Sequence, residues 1–163
     1  MKQILLPLIG TIIFIILVGI FVSNPGKYIK NQSSKNEQKI IKIKDVEISV
    51  DVSNTPEKRS KGLSGKSLLN EKEGMLFIFD KNDQIPTFWM KDMIIPIDII
   101  WIDNEKIVQI DKNILAPEKG TPDSKLIRYL PKTPIDYVLE VNSGFSDKYE
   151  FSIGNRVDLS LIK

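Results

Sequence analysis

The stretch Lys39-Ile40-Ile41-Lys42-Ile43-Lys44-Asp45-Val46-Glu47-Ile48-Ser49-Val50-Asp51-Val52 decides the fold class. Ile41 and Ile43, then Val46, Ile48, Val50 and Val52, alternate with Lys, Glu, Ser and Asp. A period of two puts the apolar set on one face of a strand and the polar set on the other. Lys44-Asp45 sits between the two sets, so the stretch predicts a hairpin of two half-buried strands.

Working outward, Asn54-Thr55-Pro56-Glu57 predicts a helix start, with Thr55 as N-cap, Pro56 at the first helical position and Gly62 closing a short helix. Strands are predicted at Met75–Phe79, Thr87–Lys91, Ile94–Ile102, Lys106–Ile110 and Ile135–Val141. A short helix is expected around Ser146–Lys148, and Ile153–Val157 closes the domain. Lys112–Pro134 carries four prolines and a glycine and reads as a long irregular loop, a length uncommon in compact domains unless it has a use. The expected fold is mainly β (α+β): a single compact antiparallel β domain, barrel- or sandwich-like, with one or two short helices, preceded by one transmembrane helix.

That helix is read from Ile4 to Val22, about nineteen residues with about fifteen of the Ile, Leu, Val or Phe type and no charge. At helical rise the run covers ~28 Å, close to the hydrocarbon thickness of a bilayer. A cleaved signal would have a shorter apolar core and a small-x-small site, which Phe21-Val22-Ser23 fits poorly. The chain therefore divides into an anchor or signal segment, 1–23, a flexible linker, 24–38, and a β-rich domain, 39–163. The linker is rich in Asn, Ser, Lys and Gln, and a span of this length reaches ~20–25 Å. Lys2 against Lys27, Lys30 and Lys35 favours a cytoplasmic domain by charge count. The tail before the span is too short for that count to decide, and a lone N-terminal anchor usually accompanies an exported domain. The expectation is a single-pass membrane protein with its domain outside the cytoplasm.

Composition removes much chemistry. The 163 residues hold no His and no Cys, which excludes disulfides, thiolate nucleophiles, His-based triads and Cys or His zinc sites. Lys plus Arg number 23 against 21 Asp plus Glu, an ordinary surface that does not point to nucleic acid. No cofactor is expected. Asp80-Lys81-Asn82-Asp83 lacks the Gly and distal Glu of a calcium loop, so it is read as a turn and no metal site is expected.

Two places invite a functional reading. In Phe88-Trp89-Met90-Lys91, alternation sends Phe88 and Met90 to the core and sets Trp89 beside Lys91 on the opposite face. This is either a lysine stem packed on an indole or a binding surface for an anionic or sugar-like ligand. Asp98 lies among Ile94, Pro96, Ile100 and Ile102, where a carboxylate must find a partner or a proton. Arg59 and Lys91 are candidate partners, and a buried structural pair and a functional carboxylate both remain open.

These residues resemble a known family, domain-of-unknown-function family 192. The resemblance runs from about Val46 to Leu159. It rests on Thr55 with Arg59, on Gly62-Leu63, on Gly74-Met75-Leu76-Phe77 with Phe79, and on Phe88-Trp89-Met90-Lys91 with Pro96 and Asp98. Tyr137-Val138-Leu139-Glu140-Val141, Gly144 and Ile153-Gly154 continue it. Ser64 stands where the family pattern usually has Met, and Lys66 where Arg is common. The resemblance implies a compact, mostly β domain, often behind an export signal or anchor, and no established reaction.

Three functions of different kind fit. A tethered module could bind a small molecule or envelope component through Arg59, Trp89, Lys91 and Asp98. A hydrolase or lyase could use Asp98 with Asp92, Asp83 or Glu140, or Lys91 as base. A structural or assembly role at the envelope is the third.

Overall fold

The structure is a computed structural model and describes residues 38–162. The expected membrane segment, and all of the linker but Gln38, lie outside the described residues. Among the described residues no helix is long and apolar enough to cross a membrane.

The opening hairpin forms as read. β1 (Lys39–Ile43) pairs antiparallel with β2 (Val46–Ser53), Ile43 opposite Val46 and Ile41 opposite Ile48. Lys44 turns the chain at φ 53°. Helix α1 (Pro56–Lys61) follows, its first turn capped by Thr55, whose Oγ1 accepts from the Lys58 amide at 3.3 Å. Gly62 ends it at φ 50°. The chain then returns as β3 (Glu73–Ile78), which pairs parallel with β2. This parallel pair corrects the expected antiparallel sheet: α1 and the loop after it act as a crossover, which brings the chain back in the same direction.

The segment predicted as a strand at Thr87–Lys91 makes only an isolated bridge, Phe88 with Tyr129. Its two sides still separate as alternation requires, with Met90 buried and Trp89 exposed. β4 (Ile97–Asp103) turns into β5 (Lys106–Ile114) through Asn104-Glu105, both at positive φ, the geometry of a two-residue hairpin. Beyond Ile114 the chain is irregular to Pro134, apart from one 3-10 turn at Asp123–Lys125. β6 (Tyr137–Asn142), α2 (Phe145–Lys148) and β7 (Val157–Asp158) complete the domain.

The strand order is β5-β4-β6-β3-β2-β1-β7. Its two edges meet at one end: the Ile107 amide donates to Asn155 O at 3.0 Å and the Val157 amide to Glu105 O at 2.8 Å. The sheet is thus a partly closed barrel, the barrel alternative of the expected fold. Ile41, Ile48, Leu76, Ile100, Leu139 and Val157 fill its interior, with Phe145 and Phe151 capping them. A second core lies on the outer face of β3, β4, β5 and β6, where Leu63, Met90, Met93 and Ile135 cover Phe77, Ile99, Trp101 and Val138. β4 is buried on both faces for this reason, and reads as a nearly unbroken apolar run.

Candidate functional site

A cavity of about 300 Å³ opens on that outer face. One wall is the end of α1 with Gly62-Leu63-Ser64, the other is Pro86 to Trp89, and the floor is Phe77 and Glu140. The Phe88 ring stands edge-on to Phe77 at 4.9 Å and to Trp101 at 5.5 Å, so the aromatic wall is braced from behind. Trp101 is fixed in turn by its indole N–H, which donates to Asp111 Oδ2 at 2.8 Å.

Glu140 is the feature that sets this cavity apart. The residue is 5% exposed, its Oε2 has no hydrogen-bond partner, and no cation pairs with it among the described residues. In register it lies between Met75 on β3 and Ile99 on β4. Burial among these apolar groups pushes its carboxyl up to about 8. The next residues out along the same cross-strand row are Asp51 and Asp111.

The four residues expected to share a site divide. Arg59 lines the cavity, but its guanidinium is committed: Nη1 donates to Ile78 O at 2.7 Å and Nη2 to Asp80 at 3.1 Å. Trp89 also lines it, 38% exposed, with the Arg128 guanidinium 3.9 Å above its ring and Lys91 Nζ at 5.6 Å. Lys91 faces a neighbouring hollow, where Nζ meets Asp123 at 2.6 Å and that hydrogen bond raises its ammonium above the usual lysine value.

Asp98 is elsewhere. It pairs in register with Val141, one residue along from Glu140, and so faces the barrel interior. Its partners are neither Arg59 nor Lys91. Asp98 Oδ1 accepts from the amides of Asn113 (2.8 Å) and Gly144 (3.1 Å), and Oδ2 from Ser146 (2.9 Å). Backbone donors satisfy a buried carboxylate without a second side chain having to enter the core. Asp98 therefore pins the end of β5 and the start of α2 to β4. A catalytic pair of Asp98 with Glu140 is ruled out by the opposite faces, and among the described residues Glu140 is the sole acidic residue lining the cavity.

A separate surface group brings carboxylate oxygens of Asp83, Asp103 and Asp136 within 4.8 Å of one another. Asp136 is already used there, accepting from the amides of Asp83 and Asn104.

Fold and cavity together define a partly closed β-barrel domain with one small aromatic-walled pocket on its outer face. The chain belongs to the family described as an uncharacterised ACR, domain-of-unknown-function family 192, whose model matches residues 39–159. No curated protein sequence matches the chain. Among solved structures it is similar to a protein of unknown function from Novosphingobium aromaticivorans DSM 12444, at 23% identity and TM-score 0.65, covering 73% of this chain and 83% of that one. It is also similar to a candidate transcription regulator from Sinorhizobium meliloti 1021, at 23% identity and TM-score 0.64, covering 74% of this chain and 92% of that one. At that identity the two likenesses establish the fold alone.

Proposed function

We propose that this domain is a small-molecule binding module, held at a membrane by the apolar run 4–22 and facing away from the cytoplasm. The observation that carries the reading is the Glu140 carboxyl, buried and without a partner at the floor of a cavity whose lining combines Leu63, Phe77, Phe88 and Met93 with the polar Arg59, Lys61 and Ser64. A polar group left unsatisfied in an apolar site weakens the fold, so its presence is accounted for by a ligand that satisfies it. Arg59 belongs to this site as a wall held in place by Asp80, and Trp89 as a rim. Lys91 and Asp123 tie the long loop down beside that rim, within reach of a ligand larger than the pocket. Asp98 serves the site only by fixing the strand behind it.

The test is a ligand-observed NMR screen of the full-length protein against small aromatic and heterocyclic fragments, followed by Trp fluorescence. Binders should perturb Trp89 and be lost when Leu63→Trp fills the pocket. A screen without binders, or binders indifferent to Leu63→Trp, defeats the reading. The anchor is tested by alkaline extraction, after which the full chain should stay with the membrane pellet. Its orientation is tested by protease treatment of intact cells stripped of outer layers, which should digest the domain.

A further inference from the structure

The chemistry of the floor narrows the ligand, on the reading that this pocket is a ligand site. Glu140 is flanked in its own row by Met75 and Ile99, Gly62 lies beside its Oε2, and Leu63 and Phe77 line the same cavity. Of the charged groups packed around it, α1 contributes Arg59, neutralised by Asp80 and Ile78 O, and Lys61, which is exposed. The wall from Pro86 to Trp89 has none of its own, though Arg128 and Lys91 stand over the Trp89 ring. On this face of the sheet alternation puts Glu73 at the start of β3 and Asp103 at the end of β4, and Asp51 and Asp111 stand beyond Met75 and Ile99. The floor thus offers a lone carboxyl that no cation pairs with among the described residues, beside aromatic rings whose faces favour positive charge.

We propose that the pocket binds an organic cation, an amine or amidine on an aromatic or alkyl body, with its N–H groups donating to the two Glu140 oxygens. An anion could take only the single carboxyl proton and would meet no positive charge at the floor. A plain hydrocarbon would seal that carboxyl from water and leave it unsatisfied. A planar amidinium matches both oxygens at once, and its ring fits against Phe77 and Phe88. The proton balance follows: the empty pocket holds Glu140 protonated at neutral pH, the ligand arrives already charged, and the carboxyl proton leaves to solvent as the ion pair forms.

The experiment titrates the full-length protein calorimetrically at pH 7 with benzamidine, benzamide and benzoate, each in two buffers of different ionisation enthalpy. Benzamidine should bind with release of close to one proton. Benzamide should bind about tenfold more weakly, the difference between a charged and a neutral hydrogen bond, and benzoate should not bind. Glu140→Gln, which keeps the shape, should lose the preference for benzamidine and the proton release. Benzamide or benzoate binding as tightly as benzamidine, or Glu140→Gln retaining full benzamidine affinity, overturns the cation assignment while leaving a ligand pocket in place. No heat from any of the three also overturns it. If the fragment screen is empty as well, the pocket reading falls with it.

Discussion

Replacing Glu140 by Gln should make the protein more stable at neutral pH and barely change it in acid. The carboxyl is raised from 4.5 to about 8 by burial alone. Between those two values the folded state keeps a proton that the unfolded chain has released. Stability then falls as pH rises, by about 1.4 kcal/mol per pH unit, because the unfolded state binds fewer protons. Below 4.5 both states are protonated and nothing is lost. At pH 5 the loss is under about 1 kcal/mol, at pH 7 it is about 3, and at pH 8 it exceeds about 4. Gln cannot ionise, so the stability gap between variant and wild type should widen by about 3 kcal/mol from pH 5 to pH 8.

Urea melts of both proteins at pH 5, 6, 7 and 8 measure this. Titrations shared by the two proteins cancel in the gap. Among them is Glu71, whose carboxyl is held below its usual value first by the hydrogen bond from Lys148 and carries the opposite slope. A gap that stays constant across the four pH values would falsify the claim that Glu140 is unpartnered in the folded state. A gap that narrows with rising pH would mean that a donor reaches the carboxylate.

Three further substitutions read the scaffold around the site. Asp98→Ala orphans the amides of Asn113, Gly144 and Ser146, at roughly 1–3 kcal/mol each with water recovering part, so about 4 kcal/mol in total is expected. A thermal melt within a few degrees of wild type would show that Asp98 is not the pin described. Gly74→Ala places a Cβ 2.7 Å from the Glu140 carbonyl oxygen, a backbone atom that cannot swing aside. It should cost about 2 kcal/mol in a urea melt, and an unchanged midpoint would count against the close β3–β6 approach. Asp111→Ala leaves the buried Trp101 indole N–H without its acceptor and should cost about 1–3 kcal/mol, read by denaturation. An unshifted curve there would separate the Trp101 wall from Asp111.

The parts of the fold that were legible in the sequence are those set by local chemistry. Alternation at Ile41 to Val52 gave the hairpin, and Thr55-Pro56 with Gly62 gave both ends of α1. Parallel pairing of β2 with β3 was not legible, because a crossover of about twenty residues is permissive of either direction. Phe88 to Lys91 has the pattern of a strand without the partners of one; a period of two records which side a residue faces, not whether a ladder exists. The site was half legible. Arg59 and Trp89 do line the cavity, whereas their distance from Asp98 depends on which face of β4 looks inward, a matter of register that only the assembled sheet fixes. The reading of Asp80 to Asp83 as a turn did not include the approach of Asp83 to Asp103 and Asp136, since three segments distant in sequence, one of them the end of β4, build that group.

Asp98 and Glu140 carry the same signal in sequence, one carboxylate inside an apolar strand, and the fold treats them oppositely. They sit one register position apart on adjacent strands, so the pleat sends them to opposite faces. On the interior face, the end of β5 and the first turn of α2 bring three amides to Asp98, and the carboxylate closes the barrel. On the outer face, Glu140 sits in register between Met75 and Ile99 and beside Gly62, and its Oε2 receives no hydrogen bond among the described residues. An apolar residue at 140 would give a drier and more stable second core. A side chain that lowers stability and closes no hydrogen bond, yet opens into a cavity, is what the proposed ligand site would account for. The buried carboxylate that is satisfied belongs to the fold, and the one that is not is the group the proposed ligand would satisfy.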